Sequence, residues 1–157
     1  NPILTPDFQT HASATLLAIE VDAASGKILR QIELFTSADP KPIHAQNTYA
    51  SPTPVSDGEH LYCHFGSLGT VCLEMKSGKI LWNKILAVDE ITGPGGSPVL
   101  WKDKLIFACD GTDQQIVIAL DKLTCKDKWR TNRPPLEADD NKLPRFQQAT
   151  RDRARRQ

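Results

Sequence analysis

The chain has 157 residues, the length of one ordinary domain, and a hydrophobic share of 39% with 6% aromatic suffices for a packed core. Nineteen basic residues balance nineteen acidic ones, so no whole-chain charge draws it to nucleic acid or an anionic membrane. No apolar run approaches the ~18 residues that span a bilayer, so no integral membrane segment is expected.

Residues 1–15 are polar and irregular, and the start at Asn1, with no signal peptide in view, points to a mature or excised segment. Residues 16–22 alternate apolar and polar, as a half-buried strand does. Ala23-Ala24-Ser25-Gly26 predicts a turn, and Ile28 to Phe35 a second alternating strand; residues 36–47 are expected to connect. Tyr49 to Val55 is expected as an innermost strand, because its prolines suit only an edge. Asp57-Gly58 marks a turn, and strands are predicted at 61–65, 70–75 and 80–85. A third set follows, with a lead-in at 93–100 and strands at 105–109, 116–121 and 128–131. After Arg133 alternation stops. Residues 134–157 are expected as an irregular basic tail; within 145–157, Arg145, Arg151, Arg153, Arg155 and Arg156 stand against Asp152 alone. The tail lacks interleaved aromatics, so no nucleic-acid partner is expected.

One unit recurs along this path. An apolar strand ends in an acidic residue, a turn carries Ser-Gly-Lys or its equivalent, and a second strand follows. Leu17 to Arg30, Val71 to Trp82 and Val117 to Trp129 are the three copies, and Ser51-Pro52 returns as Ser97-Pro98. Repeats of ~40–50 residues built of short strands indicate propeller blades. The expected fold is therefore all-β: a partial β-propeller of antiparallel four-stranded blades, two complete and one partial, over residues 1–133.

None of Cys63, Cys72, Cys109 and Cys125 lies in a Cys-x-x-Cys pair, which argues against a zinc ribbon. Cys63 and Cys72 flank Gly66-Ser67-Leu68-Gly69 symmetrically, and in that register they face each other directly across a hairpin. Two readings satisfy that arrangement: a disulfide in an oxidising compartment, or two small thiols on a core face.

The three units resemble the quinoprotein-type, or pyrroloquinoline-quinone-like, propeller repeat. Ala18 to Arg30, Cys72 to Trp82 and Ala119 to Trp129 match its acidic strand end, Thr/Ser-Gly-Lys turn and Trp, with Arg30 in place of Trp and Cys125 in place of Gly. The resemblance covers about residues 16–133. It implies a ring of about seven or eight blades, docking of blade on blade through Trp82 and Trp129, and a bacterial, exported protein of the periplasm or cell exterior.

The same resemblance spans enzymes and scaffolds. The enzymes need a quinone-stacking Trp on an innermost strand, a calcium site, a general-base Asp and often adjacent cysteines; no such set is evident. Asp110, Asp113 and Asp121 suit a solvated hairpin, and no ~6–8-oxygen calcium set can be placed. His11, His44, His60 and His64 are expected at the surface, without a third ligand for a metal site. Ser51 and Ser97 lack a paired base and are expected to begin strands. Gly93-Pro94-Gly95-Gly96 precedes no helix, which argues against a phosphate cradle. The expectation is a non-catalytic scaffold or recognition module, without catalytic residues, cofactor or metal, whose partners are further blades or another protein. The alternative is part of a quinoprotein oxidoreductase whose catalytic residues lie in other blades.

Overall fold

Three antiparallel sheets stand one behind the next in a computed structural model that describes residues 8–133. The expected tail at 134–157 lies outside the described residues. Sheet I pairs β2 (Ala14–Val21) with β3 (Ile28–Ser37), and a small pair joins β1 (Phe8–Gln9) to β4 (Ile43–His44). Sheet II is the meander β5 (Val55–Ser56), β6 (His60–His64), β7 (Thr70–Glu74), β8 (Ile80–Lys84). Sheet III repeats it as β9 (Val99–Trp101), β10 (Lys104–Asp110), β11 (Gln115–Asp121), β12 (Asp127–Asn132).

The repeated turn has a physical cause. In each copy the acidic residue at the strand end closes the turn through its backbone, as in Glu74 N–H to Lys79 C=O at 2.9 Å and Gly78 N–H to Glu74 C=O at 2.8 Å. Its carboxylate also accepts from the turn, from Ser25 at Asp22, Ser77 at Glu74 and Thr124 at Asp121. The next position is left-handed, with φ of 71° at Gly26, 75° at Gly78 and 62° at Cys125. Glycine takes that conformation freely; Cys125 does so at a cost of about 1 kcal/mol. A register shift follows in all three pairs, at Glu20/Val21, Cys72/Leu73 and Ala119/Leu120. The shift sets Arg30, Trp82 and Trp129 at one equivalent position, opposite Glu20, Cys72 and Ala119.

Two apolar layers join the sheets. Leu16 and Leu34 of sheet I pack with Cys63, Val71 and Leu73 of sheet II. Tyr62 and Cys72 leave the other face of sheet II to pack with Leu105, Phe107, Ile118 and Leu120 of sheet III. Sheet II is thus covered on both sides, and most of β6 and β7 is buried without alternation.

Four expectations need correction. The innermost strand of sheet II is only Val55–Ser56, because Pro52 and Pro54 lack N–H donors for a ladder. Part of the 36–47 connection is strand, since β3 runs to Ser37 and Ile43–His44 pairs with Phe8–Gln9. Trp101 does lie on an innermost strand, β9. Cys63 and Cys72 are not cross-strand partners: Cys63 pairs with Val71 and Cys72 with Tyr62. The hairpin loop is a 3-10 turn at Gly66–Leu68, closed by Phe65 N–H to Gly69 C=O at 2.8 Å, which pairs His64 with Thr70. A one-residue slip sends neighbouring side chains to opposite faces. Cys63 accordingly faces sheet I, Cys72 faces sheet III, and both are free thiols.

Candidate functional site

The joints between sheets gather the polar chemistry that points inward. At the joint of sheets II and III, the Trp82 indole N–H donates to the Lys122 carbonyl at 2.9 Å, and its ring lies 6.2 Å from that of Tyr62. At the joint of sheets I and II, Arg30 occupies the same position and donates to the carbonyls of Met75 and Lys76 at 2.6 and 3.3 Å. Met75 and Lys122 are themselves equivalent, each following the acidic turn residue. Arg30 departs from the motif in residue type yet makes the same cross-joint hydrogen bond, and it pairs with Glu20 at 2.7 Å. Trp129 holds the third such position, 39% exposed, with no described sheet beyond it.

Asp57 forms a hub at the turn end of the second joint. Its carboxylate receives Lys122 Nζ at 2.8 Å, the Tyr62 hydroxyl at 3.2 Å and the backbone N–H groups of Glu59 and His60, with His60 Nδ1 at 3.2 Å. Burial acts to raise this carboxyl, but Lys122 and the two N–H groups overrule it and hold it well below the ordinary carboxylate range. Burial pushes the fully covered Tyr62 phenol up.

His64 is not a surface residue. It is 2% exposed, its ring tilted against that of Phe107 across the second joint with centres 4.4 Å apart, and Nδ1 lies 2.8 Å from Thr70 Oγ1. Burial lowers its pKa to about 4 and keeps it neutral. Burial also raises Cys63 and Cys72 to about 11 and Cys109 to about 12. These are covered thiols, poor nucleophiles near neutrality.

A cleft of about 380 Å³ opens at the opposite end, between the sheet-to-sheet connections and the hairpin loops; Asp39, Lys41, Ser67, Val88, Asp89 and Asp113 are on its lining. Lys41 Nζ reaches Asp89 Oδ1 and the Val88 carbonyl, both at 3.0 Å. Thr112 donates to Asp89 Oδ2 at 2.7 Å, and Asp113 Oδ1 accepts the Asp89 N–H at 2.8 Å. Glu90 accepts the Ser67 N–H at 2.9 Å, and burial raises its carboxyl. These bonds tie loops of neighbouring sheets together. They use the carboxylates as acceptors from protein donors, and among the described residues no group of three or more His, Cys, Asp or Glu can hold a metal ion. Trp101 lies at the other end, with Lys102 and Lys104 ammonium groups 4.5 and 5.1 Å from its ring centre. The innermost-strand Trp101 and the carboxylates of the cleft thus stand apart. Ser97 Oγ accepts the Thr53 N–H at 2.9 Å, and Ser51 bonds Thr48 and Asn47, so both serines organise the lead-ins to sheets II and III.

No protein-family model matches this sequence, and no curated protein matches it. Solved structures do. The fold is similar to quinohemoprotein alcohol dehydrogenase ADHIIG from Pseudomonas putida HK5, at 18% identity and a TM-score of 0.55, over 91% of this chain and 21% of that one. The quinohemoprotein alcohol dehydrogenase from Comamonas testosteroni matches at 17% and 0.51, over 78% of this chain and 19% of that one. BamB from Moraxella catarrhalis matches at 15% and 0.51, over 74% and 34%. The fold is a partial β-propeller. At these identities the likeness is one of fold, and the chain spans between about a fifth and a third of each structure's length. Among the described residues no helix is long and apolar enough to cross a membrane.

Sequence reasoning singles out Trp82 and Trp129, takes Arg30 only as a departure from the motif, sets His64 at the surface, and does not find the Asp57 hub or Trp101 on its innermost strand. Arg30 was findable: it sits at the Trp position of its repeat, and guanidinium, like indole, is a flat N–H donor.

Proposed function

We propose that this chain is a propeller segment acting as a non-catalytic scaffold or recognition module, with residues 1–133 forming the propeller part and 134–157 a basic tail. Its partners are further propeller sheets or another protein, and its place is outside the cytoplasm of a bacterium. Trp82 and Trp129 serve as docking residues. One observation carries the reading: sheets I and III each expose a face whose counterpart on sheet II is buried. Surfaces of that kind mark interaction sites. The polar bonds described above join sheet to sheet, which is what a scaffold requires.

Titration of the chain with pyrroloquinoline quinone and Ca²⁺, followed by tryptophan fluorescence and by alcohol-dependent dye reduction, tests this reading. No saturable change and no dye reduction are expected. Stoichiometric binding would overturn it in favour of a quinoprotein oxidoreductase segment.

A further inference from the structure

We infer that a second copy of this chain covers both open faces, sheet III of one copy docking on sheet I of the next. The inference rests on the scaffold reading and names its partner. The repeat tells which positions correspond. Ile19 and Val21 of sheet I are the counterparts of Val71 and Leu73, which pack against the preceding sheet. The inner pair is 0% and 3% exposed, the outer pair 52% and 49%. On the other side, Ile106 and Val117 of sheet III correspond to Tyr62 and Thr70, which face sheet III across the second joint. Tyr62 and Thr70 are 0% and 1% exposed, whereas Ile106 and Val117 are only partly covered, beside exposed Val99 and Trp129.

The two open faces are therefore the two halves of one joint. That joint already exists twice within the chain, and each time a side chain at the Arg30/Trp82 position bonds the turn of the next sheet. Trp129 is the third such donor. The matching acceptor, equivalent to Met75 and Lys122, is the carbonyl of Ala23. The turn glycines agree. A Cβ on Gly78 would lie 2.6 Å from Ile32 and 2.9 Å from Arg30 of the preceding sheet, whereas among the described residues nothing lies within 4 Å of one on Gly26. Gly26 is the same seat without its occupant. A two-stranded sheet suffices on one side, because sheet I alone forms its half of the first joint. The contact is heterologous, so it must close into a ring or propagate. Counting sheets I, II and III of the described residues, two copies give six, inside the range of about four to eight that closes a propeller, whereas three copies exceed it.

Sedimentation velocity and light scattering on residues 1–157 at tens of micromolar should report twice the 17.4 kDa chain mass. Ile19→Arg and Trp129→Arg should each lose the dimer while keeping the far-UV spectrum. An equimolar mixture of the two should recover a dimer, since each variant retains the face the other has lost. Hydroxyl-radical footprinting of the unaltered chain needs no variant: labelling at Ile19, Val21 and Trp129 should fall together as concentration rises. A monomer at 100 micromolar, or association that leaves these residues reactive, would overturn the second copy. In a chain that binds no quinone, either result would leave the scaffold reading standing, with its faces reserved for a different chain.

Discussion

Acid should loosen the second joint through His64. The ring is buried, faces Phe107 at 4.4 Å and has its pKa lowered to about 4, against an ordinary value of 6.5. The unfolded chain therefore binds this proton at a higher pH than the folded chain does. Stability from the neutral ring is fully present above 6.5 and is lost as pH falls from 6.5 through about 4. At about 1.4 kcal/mol per pKa unit, the loss relative to neutrality is about 2 kcal/mol at pH 5 and about 3 kcal/mol at pH 4. Glu90 acts in the opposite sense, because its raised pKa makes the ionised form costly in the folded chain. Comparison with His64→Phe removes that contribution, since Glu90 is common to both proteins. Urea unfolding of the two at pH 7, 6, 5 and 4 should show the unaltered chain losing about 3 kcal/mol more than the variant across the series. Phe fills the space against Phe107 but leaves the Thr70 hydroxyl without its partner, so the variant starts less stable; only the difference in slope matters. Parallel stability curves would refute the argument and mean that the folded ring takes up its proton as freely as the unfolded one.

Trp82→Ala should cost roughly 3–5 kcal/mol in urea unfolding, because a ring packed across the second joint and its bond to Lys122 are both lost. Arg30→Met should cost about 1–2 kcal/mol, and Arg30→Lys should not restore it, since an ammonium cannot span the Met75 and Lys76 carbonyls as a guanidinium does. An aromatic disulfide reagent at pH 8 should modify Cys125 first and leave Cys63, Cys72 and Cys109 almost untouched until urea is added, after which four thiols should titrate without reductant. Two thiols in urea would instead indicate a disulfide.

Alternation and the acid-Ser-Gly-Lys turn placed nearly every long strand, because each is a local signal with a local cause. Sheet register is another matter. Whether Cys63 meets Cys72 or Val71 depends on the loop adopting a 3-10 turn at Gly66–Leu68, and symmetry about the glycines cannot report that. His64 is expected at the surface, and found buried, for a related reason. A strand covered on both faces shows no alternation, so nothing in the local pattern tells that its histidine is buried. The Asp57 hub draws on residues up to 65 positions apart and exists only once sheet III has docked. The innermost strands are the least legible in the sequence, since their prolines mark an edge without saying how little of it pairs.

The two joints are built on one geometry but held by different chemistry. At the first, a guanidinium carries the hydrogen bonds and pairs with Glu20, half exposed to water. Salt screens such a pair, which contributes no more than about 1 kcal/mol. At the second, an indole, a neutral histidine and the Lys122–Asp57 pair lie in or beside an apolar layer. Salt reaches that interior poorly, whereas burial makes a proton on His64 costly at any salt concentration. The two joints should therefore respond to different conditions, the first to ionic strength and the second to acid. Any partner seated on the outer faces meets the same division. Trp129 gives the sheet III face an indole like that of the second joint, and on the sheet I face Ile19 and Val21 lie beside Gln31 and Glu33, the cross-strand partners of Ile19 and Leu17. A contact made from those halves has an indole where the first joint has a guanidinium, and it should hold at salt concentrations that weaken the Arg30 joint.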